Sequence, residues 1–160
     1  MDREKGLKMS ERDFSKEFYD ILSELEADSK VHEMKKYIQH GKVSTFEHCE
    51  NVAKLSYKLN KYLSLHSDLK VLITAAMLHD FYLYDWHRED DGSHRLHGFH
   101  HAKTASVNAE KHFHTDPKVN KVIESHMWPL NIGKLPKSRE AWIVCIADKC
   151  ISAYETLFRR

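Results

Sequence analysis

Glycine and proline are scarce, at five and three residues in a chain of 160. With so few chain breakers the sequence runs in long segments, and strand-like alternation of polar and apolar residues is missing. Cysteine is also rare. Cys49, Cys145 and Cys150 make no C-x-x-C pair and no even-numbered set, which excludes a disulfide framework and leaves reduced structural thiols. Their one close spacing, C-x4-C, is wrong for a zinc finger, and a finger drawn from His94, His97 and His101 is disfavoured. An excess of one charge is missing too: 25 basic against 24 acidic side chains leave +1, so nothing pulls the chain toward nucleic acid or a membrane surface. No apolar run approaches the roughly 20 residues of a membrane span. The opening MDREKGLKMSERDF lacks the apolar segment of a secretion signal, so a cytoplasmic location is expected. Met9 is an alternative start. Residues 1–9 read as a charged tail and residues 10–160 as one domain, long enough for a full hydrophobic core.

What the chain does have is helical periodicity and thirteen histidines. Ser10 can cap a helix running through Phe14, Phe18, Ile21, Leu22 and Leu25. A short helix is expected over about 31–38, before Gly41. Ser44-Thr45-Phe46-Glu47 is a capping box that opens a helix to about Leu63. Ser67 can cap the next, which runs through VLITAAML and is apolar on nearly all sides, as a central helix would be. Residues 85–97, DWHREDDGSHRLH, are charged and irregular and read as a long loop. Further helices are expected from about His101 to Phe113, from Asp116-Pro117 to about Trp128, and from Ser138 onward. The predicted fold class is all-α, a globular array of about seven helices without repeats or low-complexity tracts.

Polar residues intrude on several of these apolar faces. His48 lies four residues before Val52 on a stripe of Val52, Leu55, Leu59 and Tyr62. His126 extends the face of Val119, Val122 and Ile123. Asp148 sits inside AWIVCIADKCISA, and His79-Asp80 follow directly on Ala75-Ala76-Met77-Leu78. His101 starts a helix whose Ala105 and Ala109 recur every four residues and leave room for a neighbour. Any one of these alone reads as a hydrogen-bonded core residue. Together they bury two carboxylates and several imidazoles, while the apolar runs around Asp80 and Asp148 contain a single cation, Lys149. An uncompensated carboxylate in a helical core is costly. A divalent metal would resolve that cost in one step.

His48, the adjacent His79-Asp80 in "LHD", and Asp148 in "IADK", in that order over roughly residues 40–155, resemble the HD-domain superfamily of metal-dependent phosphohydrolases. Dinuclear members carry two more histidines between the His-Asp pair and the last Asp. One opens a helix in a pattern like H-P-x-x-G-A, and the other stands alone near the end of the following helix. His101-Ala102-Lys103-Thr104-Ala105-Ser106 resembles the first without its Pro and Gly, and His126 in "ESHMW" resembles the second. His97, in "HGFHHA", is a competing match; His101 is preferred because it leads the small-residue face. The resemblance implies one metal held by His48, His79, Asp80 and Asp148, and a second held by His101 and His126 with Asp80 bridging. Nitrogen and oxygen donors without thiolate suit two divalent transition metal ions, such as iron, manganese or zinc, rather than calcium.

The implied chemistry is hydrolysis of a phosphoester or phosphoanhydride by metal-activated hydroxide, oriented by Asp80. The ligand order is similar to that of small bacterial diadenosine-tetraphosphate hydrolases. A small phosphorylated molecule, a nucleotide or dinucleotide, is therefore the expected partner. The H-D-x-G-K of cyclic-dinucleotide phosphodiesterases is not matched, because His79-Asp80-Phe81-Tyr82-Leu83 has neither Gly nor Lys. His87, His97 and Lys149 are the candidates for phosphate contacts or proton transfer, and Trp86 for stacking on a base or packing a lid. Trp86 as core and His87 as a surface residue is the plain alternative. His40, beside Gly41, either lines the pocket or ends a helix. Two other functions suit the same resemblance. One is a di-iron oxygenase, which oxygen dependence and a mixed-valent iron signal would reveal. The other is a non-catalytic nucleotide-binding sensor, against which the complete ligand set argues.

Overall fold

Ser15 starts the first helix. Its side chain accepts from the Phe18 backbone N–H and caps α1 (Lys16–Glu26). The computed structural model describes residues 14–84 and 97–159, without the side chains of 97–99, so the expected cap Ser10 lies outside the described residues. Phe14 precedes the helix. Its ring stacks on Phe18 with centroids 4.7 Å apart and also meets Tyr57.

α2 (Ser29–Glu33), capped by Asp28, runs through a 3-10 turn at Met34–Lys36 and then straightens. The helix expected over 31–38 therefore ends early. Residues 38–44 form an antiparallel hairpin of β1 (Ile38–His40) and β2 (Val43–Ser44). Gly41 makes the turn at φ 56°, a conformation glycine adopts without penalty. Strands this short hold too few residues to display a period, which is why alternation did not reveal them. The register shifts between Ile38 and His40, leaving Gln39 as the extra residue of a bulge. Gln39 is buried while Ile38 is exposed.

α3 (Thr45–Tyr62) begins where the capping box placed it, with Ser44 accepting from the Glu47 N–H. Its buried arc follows His48-Cys49, Val52-Ala53 and Ser56-Tyr57. Leu55 and Leu59 are only partly buried and Tyr62 is exposed, so the stripe expected through Tyr62 is rotated. The cause is that α3 packs against two partners, α4 and α7, rather than one.

α4 (Leu69–Leu78), capped by Asp68 rather than Ser67, is buried from Val71 to Leu78 and packs on α1, α3, α6 and α7. Its all-round apolar surface is what a central helix requires. α5 (His97–Phe113) starts a turn earlier than expected and lies on α6, with Ala105 and Ala109 fully buried at close approach. α6 (Pro117–Ser125) uses Asp116 as its cap and a Pro in its first turn, and stops short of Trp128. α7 (Arg139–Phe158), capped by Ser138, closes the array. Its end is tied back to the hairpin: the Lys42 N–H donates to the Arg159 carbonyl at 3.1 Å, and Arg159 Nη1 meets Glu47 Oε1 at 2.7 Å. The fold is thus all-α apart from one short hairpin among the described residues. No helix among them is long and apolar enough to cross a membrane. All three thiols are free, with Cys49 and Cys145 buried and Cys150 exposed.

Candidate metal centre

Five elements converge at the C-terminal end of α4. His79 is its C-cap, and Asp80 follows. The chain then turns sharply, with the Tyr82 N–H bonded to the Asp80 carbonyl at 2.9 Å and Leu83 held at φ 59°, a conformation that non-glycine residues rarely adopt. His48 comes from the start of α3, Asp148 from the middle of α7, and His101 from the second turn of α5. His126 is the C-cap of α6. None of the six is more than 7% exposed.

Their ligand-type atoms form two overlapping groups. His48, His79 and Asp148 offer atoms within 4.8 Å of one another, and so do His79, Asp80 and His126. His48 Nε2 lies 3.2 Å from Asp148 Oδ1 and 3.8 Å from Asp80 Oδ2. His79 Nε2 lies 3.4 Å from Asp80 Oδ2 and 3.7 Å from Asp148 Oδ1. The other oxygen of Asp80, Oδ1, faces His101 Nε2 at 3.2 Å and His126 Nε2 at 3.6 Å. Those two nitrogens are 3.0 Å apart. One carboxylate therefore presents each of its oxygens to a different set of imidazoles.

Neighbouring groups fix which ring nitrogen points inward. His79 Nδ1 donates to the Ala76 carbonyl and His126 Nδ1 to the Ile123 carbonyl, both at 2.7 Å. His48 Nδ1 donates to Glu155 Oε2 at 2.8 Å. In each ring the Nδ1–H is thereby taken up outside the cluster, and Nε2 is turned toward it. Ser152 Oγ donates to Asp148 Oδ1 at 3.0 Å, and Gln39 Nε2 donates to Asp80 Oδ2 at 2.6 Å. Gln39 is itself held by the Tyr82 hydroxyl, which donates to its Oε1.

Two atoms remain. His79 Nε2 and Asp80 Oδ1 are buried without a hydrogen-bond partner among the described residues. Orphaned buried polar atoms at the centre of a convergent cluster of histidine and carboxylate donors are what a divalent cation would satisfy. The donor set and the geometry fit a metal.

The polypeptide alone balances the same charges with protons. Burial disfavours a charge on His48, but hydrogen bonds to Asp148 and Glu155 outweigh it and push the ring up to about 10. His79 is buried as well, yet Asp80 raises it well above the ordinary histidine value. Burial would raise Asp80 and Asp148. The His79 charge holds Asp80 low, and the hydrogen bond from His48 together with the nearby His79 charge holds Asp148 low. His126, buried and next to the His79 charge, is pushed down to about 3. Imidazolium on one side of the cluster and neutral imidazole on the other is how two buried carboxylates persist here. Cations bound by the cluster would displace those protons.

The cluster floors a cleft of about 670 Å³. Met127, Pro129 and Leu130 form an apolar wall, and His40, Lys149 and Ser152 line the cleft as well. Lys149 Nζ donates to the His126 carbonyl at 2.8 Å, beside the floor. His40 thus lines the cleft on a strand rather than ending a helix, with Nε2 3.2 Å from Ser152 Oγ. Of the other expected contacts, Trp86 and His87 lie outside the described residues. His97 is the first residue of α5, and its side chain lies outside them too.

Gln39, Tyr82, Ser152 and Glu155 were not picked out from the sequence. Ser152 and Glu155 follow Asp148 at four and seven positions, the spacing of one helix face, and that signal was available. Gln39 had none, because a bulge places it.

Among protein-family models, that of the HD domain matches residues 45–153. Comparison with curated proteins and with solved structures gives no match. All six ligand-type residues lie inside the matched segment, whereas Gln39 and Glu155 lie outside it.

Proposed function

Because the chain belongs to the HD domain family, which includes metal-dependent phosphohydrolases, we propose that it hydrolyses a phosphoester or phosphoanhydride of a nucleotide or dinucleotide at a two-metal centre. The observation that carries this reading is the split of Asp80, with Oδ2 toward His48 and His79 and Oδ1 toward His101 and His126. Asp148 completes the first set. Divalent transition metals bound there would neutralise phosphoryl oxygens and supply hydroxide from water near neutral pH.

The chain's own residues do the rest. Asp80, His101, His126 and Asp148 line the cleft, with His48 and His79 buried beside them, so a phosphoryl group would enter there to react. Lys149, beside that floor, attracts one of its anionic oxygens. The wall of Met127, Pro129 and Leu130 accommodates an apolar surface such as the face of a base. In the reaction water attacks phosphorus, the bond from phosphorus to the leaving oxygen breaks, and that oxygen takes a proton. His87 and His97 are the proposed donors of that proton or of phosphate contacts. Unchanged kcat/KM in His87→Ala and His97→Ala would remove them from the role.

The test is anaerobic purification, elemental analysis and a phosphoester panel on wild type and Asp80→Ala. Expected are two metals per chain, oxygen-independent release of phosphate or nucleotide, and loss of both in the variant. Less than one metal per chain in wild type overturns the proposal. Turnover that requires oxygen would assign the scaffold to oxygenase chemistry instead.

A further inference from the structure

The first metal position gathers two carboxylates, the second shares one of them, and a further carboxylate stands behind a ligand of the first. The His48 group gathers Asp148 Oδ1 and Asp80 Oδ2, and a third carboxylate, Glu155, stands directly behind His48. Glu155 is 1% exposed. Its Oε2 accepts from His48 Nδ1 at 2.8 Å, and its Oε1 accepts from Asn51 Nδ2 at 3.1 Å, so both oxygens are held. The His101 and His126 group has a share of Asp80, and behind His126 is a neutral carbonyl, that of Ile123.

A buried carboxylate on the far nitrogen of a ligating imidazole fixes the tautomer and raises the basicity of the near nitrogen. It also adds negative charge that water does not screen. A backbone carbonyl does the first with far less of the second. Both effects of Glu155 fall on one position, because His48 belongs to that group.

We propose that Glu155 is a positioning residue that makes the two metal positions unequal. The position at His48, His79 and Asp148 fills first and holds its ion. The position at His101 and His126 fills second and exchanges. This rests on the two-metal reading above. It adds an order of loading, and a residue that sets the order from two positions beyond the matched segment.

The test is anaerobic titration of the full-length chain with Mn²⁺, reading free Mn²⁺ by electron paramagnetic resonance. Wild type should show a tight and a weak class. His126→Ala should lose the weak class and keep the tight one. Glu155→Gln, which can still accept from Nδ1 but carries no charge, should weaken the tight class by about tenfold, and Glu155→Leu by about a hundredfold. The weak class should stay in place in both. A general loosening of structure would move both classes together, so the ratio between them separates positioning from a merely structural role. Should Glu155→Leu fail to fold, Glu155→Gln and Asn51→Ala decide, the latter with a smaller loss in the same class. The proposal is overturned by two equal classes in wild type, by a tight class indifferent to Glu155, or by equal weakening of both. No Mn²⁺ bound by wild type would instead overturn the metal reading itself.

Discussion

The side-chain amide of Gln39 donates a 2.6 Å hydrogen bond to Asp80 Oδ2 and joins a bulged strand residue to the shared carboxylate of the cluster. With Tyr82 and Thr45 holding the amide oxygen, the carboxylate cannot rotate freely. Gln39→Leu should therefore lower Mn²⁺ affinity and kcat/KM by about 10–100-fold, the usual cost of losing an outer partner of a ligand. Gln39→Glu should do at least as much harm, because it sets a second carboxylate against Asp80. Direct metal titration and steady-state kinetics check both. Wild-type values in Gln39→Leu would show that Asp80 keeps its orientation without the amide.

Metal removal should lower stability as well as activity. An ion that binds only the folded chain at a hundred times its Kd contributes about 2.7 kcal/mol. For a chain of this size that corresponds to a rise in Tm of roughly 5–10 °C. Calorimetry before and after chelation, then after adding Mn²⁺ back, measures it. Asp80→Ala should lose most of the metal-dependent part.

The chelated protein should have its stability maximum near pH 6.5. His48 is raised to about 10, so its contribution is complete below the unfolded value of 6.5 and is lost as pH rises toward 10. His79 is shifted in the same direction. His126 is lowered to about 3, so its contribution is complete above 6.5 and is lost as pH falls toward 3. Asp80 and Asp148 are held low, and their contribution goes as pH falls through and below the ordinary carboxylate value of 3.8. Urea denaturation of chelated protein from pH 4 to 10 traces the curve. A stability that climbs steadily from pH 7 to 10 would contradict it.

Lys149→Met should raise KM more than it lowers kcat. Lys149 is 42% exposed, so its contact with an anionic substrate is worth the lower part of the range for charge-assisted bonds. About tenfold in KM is expected, with metal content unchanged. A loss of bound metal in this variant would place Lys149 in the support of His126 rather than in substrate binding.

Fold class was readable because helices declare themselves by period: the Ser44 capping box, the apolar run of α4 and Asp116-Pro117 all stand in the chain as local signals. The six polar residues now in the cluster stood out because each sat within, or at the end of, an apolar or small-residue face. Helix ends read less well. Ser67 is as good a cap by residue type as Asp68, and the local sequence does not decide between them. The hairpin at 38–44 had too few residues to show a pattern. Gln39 and Tyr82 act through contacts made across more than 40 positions, and no local pattern encodes those.

The boundaries of the family match also bear on how this protein is handled. A fragment trimmed to residues 45–153 would keep every ligand-type side chain and discard both the hairpin amide and the final-turn carboxylate. It would also cut the clasp between Arg159 and the Lys42 backbone. Such a fragment would bear the family signature intact and still hold its ions poorly. Where metal content is the question, the span used has to reach from α1, which packs on α4, to Arg159.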